Sequence, residues 1–153
     1  MMTVSHYLKS DYCIMDLQSQ NKEEAIREII KRISSSGRIL DEEKFTKDVL
    51  ERESLGSTGI GHNVAIPHAR SPVVKEFMIG FAKSNKGVDF NALDGEKVNL
   101  IFLMGADPKE LNLYLRILAE LSKLLMNNSF RQSLLSAADG KEVLRIIEQF
   151  ERE

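Results

Sequence analysis

The chain has 153 residues, 42% hydrophobic and 29% charged, enough to bury a core without disulfides or metals. Its 21 basic and 23 acidic residues leave a formal charge of −2, without the basic excess expected of a protein that binds nucleic acid. No apolar run approaches the roughly 18 residues that cross a bilayer, and the opening MMTVSHYLKSDYC lacks the basic-then-apolar order of a secretory signal, which points to a cytoplasmic protein without direct membrane insertion.

Along the chain, YCIMDL (12–17) reads as a short strand. Cys13 within it, the only cysteine, reads as a small buried apolar side chain rather than a reactive thiol. Asn21 with Glu24 has the form of a capping box, and Ile26, Ile29, Ile30 and Ile33 follow at helical spacing until Gly37. A second helix opens at Asp41, with Glu42 and Glu43 at its positive end. Its stripe of Phe45, Val49 and Arg52 ends on an arginine, whose head is expected to reach whatever lies beneath that helix end.

NVAIPHA (63–69), FMIGFAKS (77–84) and KVNLIFLMG (97–105) read as strands, the last apolar enough to be covered on both faces. Asp94-Gly95 marks a turn between the latter two. ELNLYLRILAELSKLLMN (110–127) reads as a helix with a stripe of Tyr114, Leu118, Leu121 and Leu125. Two shorter helices follow at SFRQSLLSA (129–137) and KEVLRIIEQFERE (141–153), the latter burying Val143, Ile147 and Phe150. This order predicts one α/β domain over residues 1–153, a sheet with helices on both faces.

GSTGIG (56–61) has the glycine order G-x-x-G-x-G and leads from a charged helix into a strand, the reverse of a dinucleotide fingerprint. Its glycines fit a tight bend, and the same bend can turn amide N–H groups toward an anion. His6, His62 and His68 are too sparse for a zinc site, and no G-x-S-x-G motif supports a hydrolase. His68 remains as a nucleophile in its own right, against the alternative of a structural histidine near a turn. With a reference pKa of about 6.5 its imidazole is largely neutral near pH 7, and a ring nitrogen can take a phosphoryl group directly. Pro67 fixes the backbone before it, Arg52 can offer a charged fork, and Thr58 or glycine amides can offer neutral donors.

The segment ERESLGSTGIGHNVAIPHA (51–69) resembles the active-site signature of the type-2 enzyme IIA domains of the bacterial phosphoenolpyruvate-dependent phosphotransferase system. These comprise the fructose/mannitol domains and their nitrogen-regulatory relative. The resemblance extends to LDGEKVNLIFLMGADP (93–108) and LNLYLRILAELSKLL (111–125). It implies a mixed sheet flanked by helices and a phosphohistidine carrier that needs no cofactor and no metal. The donor it implies is HPr or its nitrogen-branch counterpart, and the acceptor an enzyme IIB or a regulatory target protein. By position it assigns the phosphoryl acceptor to His68, the neighbouring arginine to Arg52, the threonine of the bend to Thr58, and phosphate-facing amides to Gly59 and Gly61. Tyr114 stands where such domains carry a second histidine, and His62 is the candidate auxiliary imidazole. A tyrosine hydrogen-bonds but carries no positive charge. The resemblance therefore leaves three readings: a carrier of the nitrogen-regulatory type, which the sequence favours, a sugar-transport component, or a protein-binding module that no longer accepts phosphate.

Overall fold

The computed structural model describes residues 3–153. Its elements run α1 (Val4–Tyr7), β1 (Leu8–Ile14), α2 (Lys22–Ser34), α3 (Glu42–Ser54), β2 (Gly59–Gly61), β3 (Val64–Ala65), β4 (His68–Arg70), β5 (Met78–Val88) and β6 (Val98–Ala106). A 3-10 turn, Pro108–Glu110, then leads into α4 (Leu111–Leu125), α5 (Asn128–Ser136) and α6 (Gly140–Glu151). The strands form one sheet in the order β1-β5-β6-β3-β2, with β4 also beside β6. It is mixed: β1 lies parallel to β5, β3 and β4 parallel to β6, while β5–β6 and β2–β3 are antiparallel.

Register decides which side chains share a face. Paired residues point the same way and neighbours along a strand alternate. Gly80 pairs with Leu103 and Gly105 with Met78, so both glycines lie on one face. A Cβ on Gly80 would sit 2.9 Å from Ile33 Cγ2, and one on Gly105 2.7 Å from Phe45 Cζ. Glycine at these two points lets α2 and α3 lie close on that face. The opposite face carries Phe81, Lys83, Phe102 and Met104, together with His68, which pairs with Met104. There Lys83 Nζ donates to the carbonyls of Leu135 (3.1 Å) and Ala137 (2.7 Å) at the end of α5, an arrangement that satisfies a buried ammonium and the helix terminus at once. Helices therefore cover both faces, and the buried side chains of both layers form one continuous core.

Local signals explain the ends of α2 and α3. Asn21 Oδ1 accepts from Glu24 N at 3.0 Å, and Asp41 Oδ1 from Lys44 N at 3.0 Å. The return half of the capping box differs from the usual form, because Asn21 Nδ2 donates to Glu24 Oε1 at 2.7 Å.

Several expectations shift. The first strand lies at Leu8–Ile14 rather than 12–17, preceded by a single turn of helix. The strand read over 63–69 is two short strands in one register, broken at Ile66–Pro67 because proline has no N–H for the ladder. The glycine-rich bend is a hairpin: β2 folds back on β3 through His62 and Asn63, both at positive φ (55° and 65°), the signature of a type I′ turn. In α4 the buried stripe takes Ile117, and Leu118 is only half-buried. Phe150 is likewise half-buried, with its ring 5.2 Å from that of Phe130. In α3, Glu53 continues the stripe of Phe45 and Val49 into the core, and Arg52 lies half-buried beside it. No helix among the described residues is long and apolar enough to cross a membrane.

Candidate functional site

His68 opens β4, half-buried, immediately after the proline break. The break matters to its chemistry. The Pro67 carbonyl accepts from Met104 N (3.0 Å) and keeps β4 on the sheet, while the Ile66 carbonyl turns to the imidazole, 2.7 Å from Nδ1. A carbonyl only accepts, so Nδ1 carries the proton and Nε2 keeps its lone pair. Burial lowers the His68 pKa from its ordinary value and the Arg52 charge adds to this, while the Ile66 hydrogen bond and Glu53 pull the other way.

Tyr114, buried on α4, turns its ring to the imidazole, with centroids 5.6 Å apart at an interplanar angle of 62°. Burial raises its pKa to about 12 against the lowering charges of Arg70 and Arg52, so it remains a neutral phenol. The substitution anticipated at this position therefore puts an aromatic edge, not a second titrating group, beside His68.

Arg52 sits in the last turn of α3, where its Nη1 donates to the Gly56 carbonyl at 3.0 Å. Its charge acts on both His68 and Tyr114. Thr58 is buried beside the break, since its carbonyl accepts from Ile66 N at 3.1 Å. Its amide is held by both carboxylate oxygens of Glu53, each at 3.2 Å. Thr58 Oγ1 is buried without a hydrogen-bond partner among the described residues, a costly condition for a hydroxyl.

The two glycines serve the hairpin. Gly59 N–H donates to Ser57 Oγ at 3.0 Å, and a Cβ there would meet Ala92 Cβ at 2.8 Å. Gly61 pairs with Val64 at a φ of 96°. The Gly59 amide is thus engaged within its own loop rather than turned to an anion. His62 is exposed in the hairpin turn. With β3 and β4 in one register, six positions separate it from His68, about 20 Å at the usual rise per residue, so the fold does not bring the two imidazoles together.

Two residues of this neighbourhood were not singled out from the sequence. Glu53 is 5% exposed, ion-paired to Lys22 Nζ at 3.2 Å, and it is what fixes the Thr58 amide. The i, i+4, i+8 spacing of Phe45, Val49 and Glu53 was the available signal. Arg70 follows His68 at the i+2 position of β4, hence on the same face, and its guanidinium carbon lies 5.9 Å from the Tyr114 ring centroid. Strand alternation from His68 would have found it.

Cys13 is buried and its thiol is pushed up to about 12 by that burial, as suits an inert core side chain. Among the described residues no three His, Cys, Asp or Glu side chains gather as a metal site requires.

This geometry has close counterparts. Residues 6–150 match the family described as phosphoenolpyruvate-dependent sugar phosphotransferase system, EIIA 2. The fructose-specific EIIABC component of Bacillus subtilis is 34% identical over 151 residues, which are 99% of this chain and 24% of that protein, so the chain spans about a quarter of that relative. The fructose-specific EIIA component of Haloferax volcanii is 32% identical over 126 residues, 82% of each chain. Among solved structures, the nitrogen regulatory protein IIA-Ntr of Neisseria meningitidis superposes with a TM-score of 0.88 at 28% identity, covering 94% of this chain and 98% of that one. The chain belongs to the EIIA 2 family of the phosphoenolpyruvate-dependent sugar phosphotransferase system.

Proposed function

We propose that this chain is a phosphoryl carrier that accepts the group on Nε2 of His68, using no cofactor. The observation that carries the reading is the 2.7 Å contact between His68 Nδ1 and the Ile66 carbonyl. It holds the ring in the tautomer whose free lone pair is on Nε2, and a nucleophile fixed in this way is what group transfer requires. The depressed pKa of His68 keeps that lone pair unprotonated near pH 7.

In the step itself, the Nε2 lone pair attacks the phosphorus of a phosphohistidine donor, HPr or its nitrogen-branch counterpart. The Nε2–P bond forms as the donor's N–P bond breaks, and the electron pair of that bond returns to the donor ring. The His68 Nδ1–H stays in place and donates to Ile66, which eases the positive charge that the ring acquires. Arg52 supplies a permanent charge for the phosphoryl oxygens, and the unpartnered Thr58 hydroxyl supplies a neutral donor. Tyr114 orients the imidazole from the side. His62 takes no part.

The next acceptor is an enzyme IIB or a regulatory target protein. Support divides here: identity is 34% and 32% to two fructose-specific chains, while the nitrogen regulatory protein, at 28% identity, superposes with a TM-score of 0.88. Incubation with phosphoenolpyruvate, enzyme I and HPr, followed by intact mass, tests the carrier step. One acid-labile phosphoryl group on the wild type and none on His68→Ala is expected. Uptake that survives in His68→Ala would refute the assignment, and no uptake from either donor would favour a protein-binding module. Passing the labelled protein to an enzyme IIB then separates transport from regulation.

A further inference from the structure

We propose that Arg70 is a phosphoryl-binding residue of this site, supplying from β4 the positive charge that the neutral ring of Tyr114 does not. The inference rests on His68 being the phosphoryl acceptor.

Three observations support it. Alternation along β4 puts the side chains of His68 and Arg70 on one face, about 6–7 Å apart along the strand, within reach of a long guanidinium side chain. Arg70 does not extend freely into solvent: its Nη1 donates to the Pro108 carbonyl at 3.3 Å and its guanidinium carbon lies 5.9 Å from the Tyr114 ring centroid. The Tyr114 ring in turn packs edge-on against the imidazole, centroids 5.6 Å apart. Arginine, phenol and imidazole thus follow one another on this face, with the Tyr114 ring in contact with both its neighbours. Only one N–H of Arg70 is engaged by that carbonyl, and the remaining donors of the fork are suited to phosphoryl oxygens. The charge of Arg70 acts on Tyr114 and that of Arg52 on both rings, so two cations address Tyr114 and one addresses His68.

Arg70 is exposed, so a docked donor protein could also touch it, and the test must remove the donor protein. Phosphoramidate does this. Its P–N bond breaks as the Nε2–P bond forms, and its nitrogen leaves as ammonia after taking a proton. Uptake by wild type, Arg70→Met, Arg70→Lys and Arg70→Glu would be followed by intact mass, with thermal melts as the control for folding. Loss of one charge-assisted contact predicts uptake roughly ten- to a hundredfold slower in Arg70→Met, at an unchanged melting temperature. Lysine should recover part of the rate and glutamate should lose more than methionine. Uptake by Arg70→Met at the wild-type rate would overturn the inference, as would equal losses in all three variants. A defect confined to phospho-HPr as donor would make Arg70 a docking residue, which also overturns it. If the wild type takes up nothing from either donor, the carrier reading itself falls, and the two failures are told apart.

Discussion

Replacing Glu53 by alanine should loosen the site from behind and remove a charge that raises the His68 pKa. The carboxylate, 5% exposed, accepts the Thr58 amide through both oxygens at 3.2 Å and pairs with Lys22 Nζ at 3.2 Å. Its removal leaves a buried amide without an acceptor, a cost of about 1–3 kcal/mol. The Lys22 side chain is 20% exposed and regains water, so the lost ion pair adds only about 1 kcal/mol. The sum is about 2–4 kcal/mol, and at about 2–4 °C per kcal/mol for a chain of this size the melting temperature should fall by about 5–15 °C. Glu53→Gln keeps an acceptor for the amide and should lose only about 1 kcal/mol. Urea and thermal unfolding of the two variants decide the matter. A melting temperature for Glu53→Ala within about a degree of wild type would refute the reasoning. Equal losses in both variants would show that the charge, not the acceptor, is what the buried site needs.

Two further outcomes follow from the site and its hairpin. Because burial and Arg52 lower the His68 pKa, the folded protein takes up the proton after the unfolded chain does as pH falls. The His68 contribution to stability is therefore fully present above about pH 6.5 and is lost as pH drops through the folded value. A ring-carbon NMR titration should give a midpoint below 6.5 with the Nδ1–H tautomer above it, and a midpoint above 6.5 would contradict the account. In the hairpin, His62→Ala should leave phosphoryl uptake within about twofold of wild type, because six positions of one register separate it from His68. Asn63→Val, at a φ of 65°, should instead cost about 1–3 kcal/mol in urea unfolding with no change in uptake per folded molecule.

Much of this architecture could be read from side-chain spacing because the elements concerned are amphipathic and capped. Asn21 and Asp41 mark their helix starts, and the apolar run of β6 marks the central strand. What escaped was set by distant partners. Nothing local says that β1 begins at Leu8, since that strand end depends on pairing with Ile79. Nor does GSTGIGHN announce a type I′ turn at His62-Asn63, because neither central residue is glycine. At the site, His68, Arg52, Thr58 and Tyr114 were identified through the motif, and the fold gathers them. Arg52 at i+7 and Glu53 at i+8 from Phe45 both fit a helical stripe, and the burial of Glu53 with Phe45 and Val49 is what separates them. Arg70 lies one residue beyond the family signature, which ends at Ala69.

On the carrier reading, the same charges would act in opposite senses before and after transfer. Ahead of phosphorylation, a fixed cation near His68 opposes a second positive charge on the ring, which favours the neutral nucleophile, and burial pushes the same way. Too much of this would also drain basicity from Nε2. The Ile66 carbonyl counters it by drawing on the Nδ1 proton, an influence on this ring that comes from the backbone break itself. On the carrier reading, the phosphoryl oxygens would bring negative charge to the place that Arg52 already addresses, and repulsion of a proton would become attraction of an anion. A titrating imidazole in place of Tyr114 would make that balance depend on pH. Arginines beside a phenol raised to about 12 would not, so on the proposed reading the charge offered to a phosphoryl group would stay constant near neutral pH.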